Sequence, residues 1–189
     1  GLLVDIMLIE KNINHSKYFF WISVLLVWVI STITDRIWWN LYSNTPSWDQ
    51  ADYLNSALEH AQALSFMGGD GASDIASLLD KSPKIPPLAS IINGAVISFA
   101  GDAPHKAAWS LSFWNGFLIF NIASWGLYLR GKKFALFCVL ISACSPFLFH
   151  LRTDYVLELP LMSAITFYLF HLGKWSDKSI GGRWIQLII

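Results

Sequence analysis

Four long apolar runs divide the chain, at residues 18–34, 107–129, 134–149 and 156–172. Each run comes close to the roughly 20 residues that a helix needs to cross a hydrocarbon core about 30 Å thick. The pattern therefore predicts an all-α protein, a polytopic bundle of transmembrane helices.

Basic residues flank these runs and predict their orientation. Lys11 and Lys17 precede the first run, the cluster at residues 130–133 follows the second, and Lys174 follows the fourth. Because basic residues are enriched in cytoplasmic loops, the first helix should lead outward and the later clusters should lie inside. If the shorter apolar run at residues 86–100 also crossed the membrane, the basic cluster at 130–133 would lie outside. We therefore expect that run to lie along the outer interface.

Residues 35–106 would then form one external loop. This loop holds eight of the thirteen acidic residues of the chain, against four basic ones. Its first part is rich in tryptophan and tyrosine, which favour the headgroup region because their rings have an apolar face and a polar edge. The pattern predicts short interfacial helices in the loop, one of them capped by Ser47 and carrying Asp49 and Tyr53.

The composition agrees with a bilayer as the solvent. Of the 189 residues, 54% are hydrophobic, 15% are aromatic and only 14% are charged, and the mean hydropathy is +0.47, which is too apolar for an ordinary soluble domain. The net charge is zero and no basic tract occurs, which argues against a nucleic-acid partner. The chain starts without Met and ends in a new apolar run, so we expect residues 1–189 to be the N-terminal part of one transmembrane domain, with the C-terminal remainder absent.

Acidic residues near the predicted outer face are the main candidates for chemistry. Asp49 and Asp52 lie in the first loop, and Asp154 and Glu158 lie where the third apolar run gives way to the fourth. Ionisable groups at membrane depth are costly and usually face a cavity, which singles out Glu158. Asp154 and Glu158 would share a helical face, with Arg152 close enough to neutralise one of them. An ordinary ion pair at a helix end would explain the same residues.

Lys84, which stands ahead of two prolines, is a candidate phosphate ligand because a fixed point charge near the headgroups suits an anion. A lysine that merely snorkels to the interface would fit the position as well. The five histidines lack the spacing of a zinc site, and neither a glycine-rich phosphate loop nor a nucleophile elbow is present. Soluble nucleotide-dependent chemistry therefore has no support in the sequence.

The order of these features resembles the GT-C membrane glycosyltransferases. An apolar anchor is followed by WDQADY at residues 48–53, by KIPPL at 84–88 and by RTDYVLELPL at 152–161. The pattern is most similar to bacterial members of the group that contains the dolichyl-phosphate-mannose protein mannosyltransferases and the lipid A aminoarabinose transferases. The resemblance covers roughly residues 18–172.

The resemblance implies transfer of a sugar from a polyprenyl-phosphate donor to a lipid, glycan or protein acceptor at the outer face of the inner membrane. The Asp-Glu pair of the family's first loop and the tyrosine after it fall on Asp49, Gln50 and Tyr53, so Gln50 replaces the glutamate. The Lys-Pro-Pro motif falls on Lys84, with Ile85 inserted.

The second family acid falls on Glu158, with Asp154 as the alternative. The resemblance implies that Asp49 is the general base, with inversion at the anomeric carbon, and that Lys84 and Arg152 stabilise the leaving phosphate. Glu158 would orient the acceptor, share the base role or help to hold Mg²⁺ or Mn²⁺, which some members use. Two alternatives stay open: a polyprenyl-lipid-binding relative without activity, and a polytopic transporter.

Overall fold

The computed structural model describes residues 2–41, 48–64, 87–101 and 103–177. Within these ranges the chain is helical and contains no β-strand, which confirms the prediction of an all-α fold. The helices are α1 (Leu2–Leu41), α2 (Trp48–Leu64), α3 (Pro87–Ala100), α4 (Pro104–Ala107), α5 (Trp109–Arg130), α6 (Lys132–Cys144), α7 (Pro146–Thr153) and α8 (Glu158–Asp177).

The first helix continues well past the predicted end of the first apolar run. The sequence pattern placed Asp35 and Arg36 at the start of an external loop, whereas both residues lie within α1, which runs on to Leu41. No glycine or proline interrupts the helix there, and both charged side chains find partners in other parts of the fold. The predicted loop start at residue 35 is therefore wrong, and α2 and α3 confirm that the segment 35–106 contains helices.

The third apolar run forms two helices rather than one. α6 and α7 meet at Ser145 with a bend of 60°. Pro146 disfavours helical geometry at the residue before it, and Ser145 accordingly has an extended backbone with ψ of 123°. The Ser145 hydroxyl accepts a hydrogen bond from the N–H of Leu148 at 3.4 Å and so caps the new helix.

A second break separates α7 from α8. Asp154 ends α7 in an extended conformation, and the next helix begins only at Glu158. Pro160 is acceptable there because it falls in the first turn, where its missing N–H has no intrahelical partner. The prediction that Asp154 and Glu158 share a helical face is therefore wrong, since they belong to different elements.

Close approach of α2 and α3 depends on Gly94. A Cβ atom at this position would come within 2.8 Å of both the backbone nitrogen of Ala61 and the Cβ of His60, and within 2.9 Å of the carbonyl oxygen of Ala57. His60 is fully buried at this contact, and its Nδ1 lies 2.7 Å from the carbonyl oxygen of Ser56. The sequence thus lets two backbones pack without intervening side chains.

Two apolar clusters form the interior of the bundle. The larger cluster, called the main core here, joins α2, α3, α5, α7 and the start of α8, and its largest buried members include Ile97, Leu111, Leu118 and Leu159. The smaller cluster joins α1, α5 and α6 around Phe20 and Ile119. Helix α5 contributes to both clusters and is therefore the centre of the bundle.

Polar side chains bridge the helices inside, while large apolar side chains cover much of the outside. Ser56 donates to Ser90 at 3.0 Å, and Asn115 donates to Ser31 at 3.1 Å, with all four residues buried. Exposed residues include Phe99, Phe120, Phe137, Leu140, Ile141, Leu161 and Ile165. Among the described helices, α1 alone is long and apolar enough to span a membrane, over Tyr18–Leu41, and the bent pair α6–α7 would count as a second if it forms one crossing.

Candidate functional site

A buried ion pair lies at the corner between α7 and α8. The Nε–H of Arg152 faces both carboxylate oxygens of Asp35, at 3.0 and 3.2 Å. The two side chains are only 3% and 1% exposed. Arg152 also donates from a terminal nitrogen to the carbonyl oxygen of Ala143 at 3.3 Å, near the end of α6. One guanidinium group therefore connects α1, α6 and α7.

This pairing changes the interpretation of Arg152. The sequence predicted that Arg152 would neutralise Asp154 or Glu158 and contact a phosphate, whereas its ion-pair partner in the structure is Asp35. A buried charge is tolerated when it is paired and hydrogen-bonded. Arg152 is therefore held inside the bundle by its partner on α1.

Asp154 and Glu158 differ in their surroundings. Asp154 is partly buried, and its Oδ2 lies 3.1 Å from Nδ1 of His150, whose side chain is 66% exposed. Glu158 is exposed and is the first residue of α8. A carboxylate at a helix N-terminus is favoured by the helix dipole. Glu158 is thus not an acid forced into an apolar helix, because the break before α8 puts it at the surface.

Tyr155 fixes the short segment between the two acids. Its side chain is 2% exposed and belongs to the main core. Its hydroxyl accepts a hydrogen bond from Ser110 at 3.4 Å. Burial raises the pKa of Tyr155 to about 12, against the opposing effect of hydrogen bonds with Ser110 and Asn93. Tyr155 therefore stays neutral and anchors the segment that carries Asp154 and leads to Glu158.

The first-loop acid lies on α2. Asp49 is exposed in the first turn of this helix, and Gln50 beside it is half-buried. Tyr53, one turn further along, packs against the same main core that contains Tyr155. The N-terminal parts of α2 and α8 are thus connected through one apolar cluster. Lys84, the predicted phosphate ligand, lies outside the described residues.

Asp35 and Arg36 are the residues of this region that the sequence reasoning missed. Arg36 donates to the carbonyl oxygens of His105 at 3.0 Å and Ala108 at 2.9 Å, and its guanidinium carbon lies 5.1 Å from the ring centroid of Trp109. The apolar residues that follow Arg36 were the available signal, because they allow the first helix to continue. The rule that an intramembrane acid has a function or a partner would then have singled out Asp35.

An apolar groove of about 500 Å³ lies between α1 and α5. Trp21 and Phe120 stack beside it with their ring centroids 4.7 Å apart. A Cβ at Gly116 would come within 2.7 Å of the indole nitrogen of Trp28, so the glycine lets the indole pack directly against the backbone of α5. The groove is lined by Trp21, Val24, Leu25, Trp28, Phe113, Gly116, Phe117, Ile119 and Phe120.

The part of the chain that the structure describes offers no group of three or more histidine, cysteine, aspartate or glutamate side chains that could hold a metal ion. Carboxylate oxygens suit Mg²⁺ or Mn²⁺, but a stable site needs several of them together. The described acids do not supply such a ligand set, and no reaction step is therefore assigned to a metal.

Comparisons of the chain with known protein families, with curated proteins and with solved structures found no match. The likeness to the GT-C glycosyltransferases consequently rests on the motifs quoted above. Among the residues of those motifs, the structure gives the positions of Asp49, Gln50, Tyr53, Asp154 and Glu158.

Proposed function

We propose that the protein is a membrane glycosyltransferase that moves a sugar from a polyprenyl-phosphate donor to a lipid, glycan or protein acceptor. The single observation that carries the proposal is the arrangement of α2 and α8. Helix α2 bears the exposed Asp49 in its first turn, and α8 bears the exposed Glu158. One turn further along, Tyr53 of α2 and Met162 of α8 pack against the same main core. Two acids presented from one core suit a reaction in which one carboxylate takes the proton of the acceptor hydroxyl and the other orients the acceptor.

A bilayer as the solvent is supported by the distribution of side chains. Buried polar groups join the helices, and large apolar side chains face outward. Small residues and polar bridges between helices are typical of membrane bundles, and large exposed apolar surfaces call for lipid or a protein partner. We therefore place α1 across the inner membrane, treat the other long helices as its companions, and assign the site to the periplasmic or external side.

The proposed step is a displacement at the anomeric carbon of the donor. The acceptor hydroxyl attacks this carbon while the bond between the carbon and the phosphate oxygen breaks, and the polyprenyl phosphate leaves with the electron pair. Asp49 takes the acceptor proton, because an exposed carboxylate in the first turn of α2 can reach an incoming hydroxyl. Attack from the face opposite the phosphate inverts the anomeric configuration.

The remaining residues bind and orient the substrates. Glu158 orients the acceptor or shares the base role, with Asp154 as the alternative acid, and Gln50 and Tyr53 lie beside Asp49 on α2. The leaving phosphate needs a cation nearby. Lys84 is the stronger candidate for this contact, because the charge of Arg152 is already paired with Asp35.

The test measures release of polyprenyl phosphate from a panel of polyprenyl-phosphate sugars, using the full-length protein purified in detergent. Wild type is compared with Asp49→Asn and Glu158→Gln. Glu59→Gln is the matched control, since Glu59 is an exposed acid on α2 outside the site. Loss of a positioned base typically costs 10²- to 10⁴-fold in rate, so we expect Asp49→Asn to lose at least about a hundredfold while Glu59→Gln keeps wild-type turnover.

Each other outcome favours a specific alternative. Binding of a polyprenyl-phosphate sugar without release from any donor would point to the lipid-binding relative that lacks activity. Absence of binding would favour the transporter, for which the helix break at Ser145 would then be the first place to examine. Normal turnover in a folded Asp49→Asn variant would exclude Asp49 as the base.

A further inference from the structure

We propose that Asp35 is a positioning residue for the acids of the site: through Arg152 it fixes the segment that carries Asp154 and leads to Glu158. This inference rests on the proposed function, but part of its test does not depend on activity. The two residues lie 117 positions apart in the chain and form a buried ion pair with Nε to oxygen distances of 3.0 and 3.2 Å.

Arg152 lies at the end of α7, close to both acids in the sequence. It is the second-to-last residue of α7, two residues before Asp154 and six before Glu158. Its guanidinium group is held on one side by Asp35 of α1 and on the other by the carbonyl oxygen of Ala143 in α6. The end of α7 therefore cannot rotate or slide without breaking contacts to two other helices.

The connection between α7 and α8 has no regular secondary structure. The segment from Asp154 to Leu157 is not helical, so its path depends on the residues that fix its ends and on the burial of Tyr155. Leu159 is fully buried just after the segment, and Arg152 is buried just before it. Glu158, which is exposed, is thus presented by a short stretch with buried anchors on both sides.

The charge of Arg152 is already paired with the carboxylate of Asp35. An arginine placed to receive a phosphate would have to leave the carboxylate of Asp35, and both groups are buried together. Separating such a pair leaves each charge without its partner at high cost. The pair therefore acts as a fixed, electrically neutral anchor, and the donor phosphate is left to another cation.

The test uses the full-length protein in detergent with a polyprenyl-phosphate sugar identified by the release assay. The central variant is the double substitution Asp35→Asn with Arg152→Gln, which removes both charges and so avoids an unpaired buried ion. Arg36→Gln is the control, because Arg36 is the neighbouring, half-buried arginine on α1 and its charge also acts on Asp35, but its hydrogen bonds go to the carbonyl oxygens of His105 and Ala108 rather than to α6 or α7. We measure kcat, normalised to the amount of folded protein, and the KM for the donor.

We expect the double variant to fold and to lose about tenfold or more in kcat, with the donor KM within about twofold of wild type. The Arg36→Gln control should keep kcat per folded molecule. An increase in the donor KM with kcat unchanged would overturn the proposal and make Arg152 a phosphate ligand. Unchanged kcat per folded molecule in the double variant would also overturn it, since the pair would then serve stability alone.

A spin label gives a readout that does not need activity. Glu158→Cys is labelled in a background in which the free thiols Cys138 and Cys144 are replaced by serine. We expect Asp35→Asn with Arg152→Gln to increase the mobile fraction of the electron paramagnetic resonance spectrum at this position, and Arg36→Gln to leave it unchanged. An unchanged spectrum in the double variant would overturn the positioning role. Wild type that lacks turnover would refute the proposed function, and this spectrum would still decide the role of Asp35.

Discussion

The contact between α2 and α3 offers the sharpest prediction about stability, through the substitution Gly94→Ala. The added Cβ would come within 2.8 Å of the backbone nitrogen of Ala61 and of the Cβ of His60, and within 2.9 Å of the carbonyl oxygen of Ala57. Carbon atoms in good contact lie about 3.5–4.0 Å apart. The two helices must therefore move apart by several tenths of an ångström or more, because backbone atoms cannot rotate away as the end of a long side chain can.

The expected cost follows from overpacking, which typically destabilises a well-packed interior by about 1–3 kcal/mol. For chains of about this size each kcal/mol shifts Tm by roughly 2–4 °C, so we expect the apparent Tm of Gly94→Ala to fall by at least about 2 °C and as much as 12 °C. The separation would also strain the hydrogen bond between Ser56 and Ser90. Thermal unfolding in detergent, followed by circular dichroism at one fixed scan rate, measures the shift.

Gly173→Ala in α8 is the matched control, for which we expect no decrease in Tm. A Cβ at Gly173 meets no atom within 4 Å, and alanine favours a helix over glycine by about 0.5–1 kcal/mol. We therefore expect this variant to keep or raise the Tm. A Gly94→Ala protein that is as stable as wild type, while Gly173→Ala behaves as expected, would refute the argument that α2 and α3 pack backbone to backbone.

Three further predictions concern the corner and the α5–α6 turn. Leu159→Ala should destabilise the protein by about 2–5 kcal/mol because it empties a fully buried site, and it should lower Tm in the same assay. Gly131→Ala should cost about 1–3 kcal/mol, because its φ of 82° and ψ of −173° lie in a region that is essentially restricted to glycine, although a Cβ there meets no atom within 4 Å. The Gly173→Ala control separates this backbone effect from helix propensity. The pKa of Tyr155 is raised from 10 to about 12, so the stability that its burial contributes is complete below pH 10 and is lost as the pH rises toward 12. The free energy of unfolding of Tyr155→Phe should therefore lack this loss between pH 10 and 12. An equal loss of stability in wild type and Tyr155→Phe would contradict the assignment.

Hydropathy located α3 and α5 well because apolar runs need burial or lipid whatever their neighbours are. The run at 107–129 corresponds to α5, Trp109–Arg130, and the run at 86–100 to α3, Pro87–Ala100. The end of α1 could not be predicted in the same way. Asp35 continues the helix because its partner is Arg152, and no local pattern reveals a contact over 117 positions.

The candidate site shows a different limit. Asp154 and Glu158 were placed on one helical face because four residues separate them, which is correct only if the helix is continuous. The structure ends α7 at Thr153 and starts α8 at Glu158, so the relation between the two acids depends on the buried side chain of Tyr155 instead. The Ser145-Pro146 bend, by contrast, had a local signal in the proline itself.

That bend sets the length that α6 and α7 would present to a bilayer. A straight helix with the 13 residues of α6 and the 8 residues of α7 would rise about 32 Å. With α7 inclined by 60°, the pair extends only about 26 Å along the axis of α6. If the pair crosses the membrane along that axis, its length falls short of a hydrocarbon core of about 30 Å. Hydrophobic mismatch would then thin the bilayer locally and draw the lipid headgroups inward, toward the end of α7 where Asp154 lies.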